Sequence, residues 1–70
     1  LSQWPSVRAR RLLSALKQIG WVETRVIGSH RRLEREGWAP ITFAFHDSEE
    51  IGPRMLSKIA KETGLKPGDL

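Results

Sequence analysis

Hydrophobic positions in this chain run first at helical spacing, then in alternation, then at helical spacing again. Leu12, Leu13, Leu16 and Ile19 recur at helical spacing, while Arg8, Arg11 and Lys17 point elsewhere. Ser6 is a suitable N-cap and Gly20 a suitable stop, which predicts a helix from about Ser6 to Ile19. From Trp21 to Ile27 the pattern alternates, with Val22, Thr24 and Val26 on one face and Glu23 and Arg25 on the other. Gly28-Ser29 supplies a tight reversal, so His30 to Arg35 pairs back as a second strand. Glu36-Gly37 is a further turn, and Ile41 to His46 is a third strand with Ile41, Phe43 and Phe45 inward and Thr42, Ala44 and His46 outward. Pro40 has no amide donor and belongs at that strand's start or edge.

Asp47 to Gly52 reads as a polar, acidic loop. Pro53 then opens a second helix whose apolar face is Met55, Leu56, Ile59 and Ala60; Gly64 ends it, Leu65 tucks against the last turn and Lys66 to Leu70 forms a short tail. The expected fold class is α+β in the order α-β-β-β-α, a three-stranded antiparallel sheet with two helices on one face. Residues 1–70 are read as a single domain, near the size at which one core only just outweighs chain entropy. The expected core is Val7, Leu12, Leu13, Leu16, Ile19, Val22, Val26, Leu33, Ile41, Phe43, Phe45, Met55, Leu56 and Ile59. Trp4 either folds back onto this core or marks a partner contact, and Trp21 and Trp38 read as core or rim packing.

If Leu33 faces the core, the period of two sends His30, Arg32 and Glu34 to the other face. With Arg25 and His46 added, one uncovered sheet face is expected to carry Arg25, His30, Arg32 and His46. Charge makes that face more interesting. The formal charge is +4, and up to His46 there are eight basic residues against three acidic ones, whereas from Asp47 onward there are four against five. Such a balance fits a polyanion such as nucleic acid, although a merely solvated basic surface is about as common.

A free imidazole exchanges a proton near neutral pH, at about 6.5. Beside arginines on an RNA-facing surface, His30 would serve as general acid or base while a 2′-hydroxyl attacks the adjacent phosphate. From the residues alone, a surface histidine beside a turn is the commoner reading. Substrate contacts are expected from Arg25, Ser29, Arg31, Arg32 and His46. A metal set of His30, His46, Asp47, Glu49 and Glu50 matches no familiar zinc spacing, and neither a metal nor another cofactor is expected. Cysteine is absent, which is compatible with a reducing cytoplasm. No apolar run approaches the roughly 18 residues of a membrane span and no charged-then-apolar leader is read, so a soluble cytoplasmic protein is expected.

The segments Leu16-Lys17-Gln18-Ile19-Gly20-Trp21, Arg25-Val26-Ile27-Gly28-Ser29-His30, Phe45-His46 and Glu50-Ile51-Gly52-Pro53-Arg54-Met55-Leu56, followed by Ile59 and Gly64-Leu65, resemble in their order and spacing the HicA-type toxins of bacterial HicBA toxin-antitoxin modules. That resemblance implies a fold like the double-stranded RNA-binding domain and metal-independent cleavage of mRNA, which inhibits translation. It also implies His30 at the catalytic position and a HicB-type antitoxin as partner. The chain departs from the family where an aromatic commonly follows Gly-Ser-His and Arg31-Arg32-Leu33 stands here. The alternative is a non-catalytic module that grips double-stranded RNA by shape. Against it, the last helix opens Pro53-Arg54-Met55-Leu56 instead of with a lysine cluster.

Overall fold

A computed structural model describes residues 3–70, in which the chain runs β1 (Val7–Arg8), α1 (Ala9–Gln18), β2 (Val22–Ile27), β3 (His30–Glu34), β4 (Ile41–Phe43), β5 (Glu50–Ile51), α2 (Pro53–Thr63) and a closing 3₁₀ turn (Pro67–Asp69). The expected α-β-β-β-α succession is present: β2, β3 and β4 form one antiparallel sheet in that order. Both helices turn their apolar sides to a single core, in which Leu12, Leu13 and Leu16 of α1 and Leu56 and Ile59 of α2 meet Leu33 and Phe43 of the sheet. Among the described residues, no helix is long and apolar enough to cross a membrane.

A second, two-stranded ladder joins β1 to β5, with Val7 opposite Ile51 and Arg8 opposite Glu50. It corrects two expectations. The first helix starts at Ala9 and not near Ser6, because Val7-Arg8 is held extended; the N-cap is Arg8 and makes no side-chain cap. Tertiary contacts replace the missing serine cap: Ala9 N–H donates to the Glu49 carbonyl at 2.7 Å and Arg10 N–H to the Asp47 carbonyl at 3.1 Å. Likewise, Asp47 to Gly52 is not simply a loop, since Ile51 lies in a strand and is buried.

Val22 and Val26, expected in the core, are 59% and 49% exposed. A β-bulge between Glu23 and Arg25 explains the first: it breaks the period of two, so Val22 opposes Glu34 while Arg25 opposes Arg32 on that same open face. Glu23 takes the inward place, opposite Leu33. Val26 faces the helix side but lies on an edge strand and stays half-exposed. Met55 is also exposed, because Leu56, Ile59 and Thr63 define the buried side of α2 and Met55 falls on its flank.

Trp4, read as either folding back or meeting a partner, folds back and is buried, and Trp21, read as core or rim packing, is core; Ala9, Ala15 and Leu65, not named in the expected core, are buried as well. Trp21 donates its indole Nε1–H to the Thr63 carbonyl at 3.1 Å. The fully buried Thr63 hydroxyl donates to the Ile59 carbonyl at 2.7 Å and accepts from Leu65 N–H at 3.3 Å, so no polar group of this knot is left without a partner. Gly64 follows in the left-handed region, at φ +77°, as the expected stop for α2. A Cβ there would lie 2.8 Å from Trp38 Cη2. Trp38 itself meets Trp21 edge to face at 6.2 Å, with the Arg35 guanidinium 5.5 Å from its ring.

Two glycines therefore separate backbone strain from crowding. Gly28 also has positive φ, at +59°, but nothing lies within 4 Å of its Cβ position. Gly28→Ala is expected to cost about 1–2 kcal/mol from the left-handed conformation alone. Gly64→Ala should cost at least about 1 kcal/mol more, because the Trp38 ring must also move. Urea denaturation of both variants, read by tryptophan fluorescence and far-ultraviolet circular dichroism, measures the difference.

Candidate functional site

The open face of the sheet is assembled by the Gly28-Ser29 turn. It sets Ile27 opposite His30, Val26 opposite Arg31 and Arg25 opposite Arg32, while on the other side of β3 Arg31, Arg32 and Leu33 oppose Phe43, Thr42 and Ile41. Leu33 and Phe43 are buried against the helices, so their row faces inward and the alternate row faces out. Arg25, Ile27, His30, Arg32 and Thr42 consequently line one shallow depression of about 230 Å³, whose margin Arg31 also reaches. Three of the four residues expected on one face are brought together.

Arg25 and Arg32 are direct cross-strand neighbours, an arrangement in which like charges repel. Glu34 offsets this only in part, its Oε2 lying 3.4 Å from Arg32 Nε. Arg25 forms no ion pair among the described residues. The Glu34 carboxylate also accepts the Thr24 hydroxyl at 2.7 Å. That hydrogen bond, reinforced by Arg32, holds its carboxyl below the usual value against the opposing effect of burial.

Arg31 faces the other way, as the period of two requires. Its Nη1 lies 2.8 Å from Glu23 Oε1 and its Nη2 3.7 Å from Asp47 Oδ1, while Lys17 Nζ approaches the same Glu23 oxygen at 3.3 Å. Arg31 Nε is buried without a partner. Burial raises the Glu23 pKa and is the largest single effect. Hydrogen bonds from Arg31 and Lys17, with their charges, together outweigh it and leave the carboxyl below its ordinary 4.5. The cluster ties α1, β2, β3 and the segment after β4 together beneath the open face.

His46 is not on that face. β4 ends at Phe43, since the chain must leave the sheet to bring the Asp47 and Glu49 carbonyls to the start of α1. The His46 N–H donates to Glu49 Oε1 at 3.3 Å, and its carbonyl accepts Glu49 N–H at 2.9 Å. His46 borders a separate depression of about 420 Å³ with Gly28, Ser29 and Asp47. The two histidines thus line different depressions, and among the described residues no three His, Asp or Glu side chains come together as a metal-holding group. Glu23 beneath Arg31 escaped the sequence reading because no local signal marks the bulge that turns it inward, whereas Ile27 beside His30 follows from the period of two and was not singled out.

An antiparallel sheet backed by two helices, with an open arginine-bearing face and a histidine beside its hairpin, defines a small α+β domain with one basic sheet face. The family model described as HicA toxin of bacterial toxin-antitoxin matches residues 9–65, and the chain belongs to that family. No curated protein matches it.

Glu23 should leave a mark on the acid limb of stability. A carboxyl whose folded pKa is depressed contributes stability that is present above its ordinary 4.5 and lost as pH falls through the folded value. Glu23→Gln is therefore expected to be less stable than the parent at pH 7, by less than about 1 kcal/mol because the ion pairs are partly exposed. The two proteins should converge on acidification below pH 4.5. Urea midpoints measured from pH 7 to pH 3 give the difference directly.

Proposed function

We propose that this HicA-family chain is a ribonuclease that cleaves mRNA and so inhibits translation, with His30 as its general acid or base. The observation that carries the reading is the placement of His30 beside Arg25 and Arg32 on a sheet face that no helix covers. RNA supplies its own nucleophile. As the 2′-oxygen bonds to phosphorus, the 2′-hydroxyl proton passes to the imidazole; the bond from phosphorus to the 5′-oxygen breaks, and that oxygen takes up a proton. A cyclic phosphate and a 5′-hydroxyl end result, with no metal required for the proton transfers.

Arg25 and Arg32 would stabilise the charge on the pentavalent phosphorus, because two guanidinium groups on one side of the site match its equatorial oxygens. Their mutual repulsion in the free protein is relieved when an anion lies between them. Ser29, at the turn, and His46, in the neighbouring depression, are proposed to contact the substrate strand on either side of the cleaved bond. Arg31 would brace the hairpin through Glu23 while reaching substrate only at its margin. The proposed partner is a HicB-type antitoxin that covers the open face, and the proposed location is the cytoplasm, where mRNA is translated.

Cleavage of a single-stranded RNA in the presence of EDTA tests this reading. His30→Ala should lose activity by about 10²-fold or more while remaining folded and still binding RNA. Arg25→Ala and Arg32→Ala should weaken RNA binding as well as slow cleavage. Equal cleavage by wild type and His30→Ala would remove the histidine from catalysis; binding without cleavage by either would favour the shape-reading module.

A further inference from the structure

The side of α2 that faces away from the core carries Arg54, Lys58 and Lys61, spaced i, i+4 and i+7 and all exposed. With 3.6 residues per turn, these three form a stripe opposite the buried Leu56, Ile59 and Thr63. None forms an ion pair among the described residues. Like charges at i and i+4 disfavour a helix, and Arg54 in the first turn also opposes the helix dipole, with no acidic residue there to compensate. Arg54 and Lys58 are thus a local cost to α2, whereas Lys61, in the last turn, suits the dipole.

Beside it lies an exposed apolar feature that packing does not account for. Gly52, Pro53, Met55 and the stems of Arg54 and Lys58 form a depression of about 450 Å³ whose surface is almost wholly apolar. Met55 is 40% exposed. The depression adjoins a second one, of about 500 Å³, to which Ser57, Lys58 and Lys61 contribute. An apolar hollow rimmed by Arg54 and Lys58, with Lys61 in the adjoining depression, is complementary to a particular occupant.

We propose that this face of α2 is a docking site for an acidic segment of a partner protein, in which one aliphatic side chain enters the hollow beside Met55 and flanking carboxylates pair with Arg54, Lys58 and Lys61. Charge complementarity selects the acidic partner. The hollow offers an apolar contact that a phosphate backbone has no group to fill, and it holds no aromatic ring on which a nucleic-acid base would stack. Because α2 packs on the side of the sheet away from His30, the occupancy of this site is independent of what His30 does.

The test is a titration of the isotopically labelled protein, followed by amide shifts, with a 12-residue peptide of Glu and Asp carrying a single central Leu. Shifts are expected to concentrate on residues 52–61. Replacing the Leu by Ser should weaken binding by about three- to ten-fold, on the scale of one small apolar group. Arg54→Gln/Lys58→Gln/Lys61→Gln, which keeps helix-forming side chains, should weaken it at least ten-fold with the circular dichroism spectrum unchanged. The proposal is overturned if the peptide shifts only the open sheet face, if the triple variant binds it as the parent does, or if a 12-nucleotide oligouridylate shifts residues 52–61 and the peptide does not.

Discussion

The indole hydrogen bond from Trp21 to the Thr63 carbonyl joins parts of the chain that local propensity could not bring together. Trp21 stands between the end of α1 and the start of β2, and Thr63 is the last residue of α2. Fixing one to the other sets how α2 lies across the sheet. Everything around the bond is adapted to it: the Thr63 hydroxyl is satisfied within its own turn, Gly64 leaves α2 with no side chain, and the vacated space is filled by Trp38. A buried donor and acceptor that lose each other cost more than the net value of the bond, so this contact tolerates little displacement. Small domains with few core residues depend on such points more than large ones do.

From that anchor the sheet is laid down with one irregularity, and the irregularity decides what the site contains. Without the bulge, Val22 and Val26 would share a face; with it, Glu23 turns inward at Leu33 while Arg25 stays outward at Arg32. The carboxylate delivered beneath the sheet is the partner of Arg31 and Lys17. One additional residue in β2 thus both joins the hairpin to α1 and keeps two arginines adjacent on the open side.

The large-scale fold was legible because it follows from periodicity and punctuation. Leu12, Leu13 and Leu16 declare one helix, Pro53 and Gly64 bracket the other, and Gly28-Ser29 forces the hairpin that carries His30. Leu33, seen as inward, was enough to send His30 and Arg32 out. What could not be read depends on pairing between distant segments. The β1–β5 ladder displaces the start of α1 from Ser6, although Ser6 is the better local cap, because a two-residue strand has no periodicity of its own. His46 seemed to extend β4, but the Asp47 and Glu49 carbonyls are drawn to the amides of α1, a demand invisible in the segment that contains His46. Trp4 lay outside any periodic run, so nothing local chose between its folding back and its meeting a partner.

The placement of charge bears on why so small a domain tolerates an open face. Arg25 opposite Arg32 and Arg54 a turn before Lys58 are both unfavourable in the free protein, yet they lie on opposite layers, one on the sheet and one on a helix. Repulsion between the two clusters is therefore weakened by distance and by salt, and each destabilises only its own element. Beneath the sheet the charges are instead paired, through Glu23, where partial removal from water makes pairing worth most. Opposite charges hold the layers to each other, and like charges are kept to the outer surfaces. An anionic partner on either outer face would then stabilise the fold as well as bind it, because it relieves a repulsion that the unfolded chain does not have.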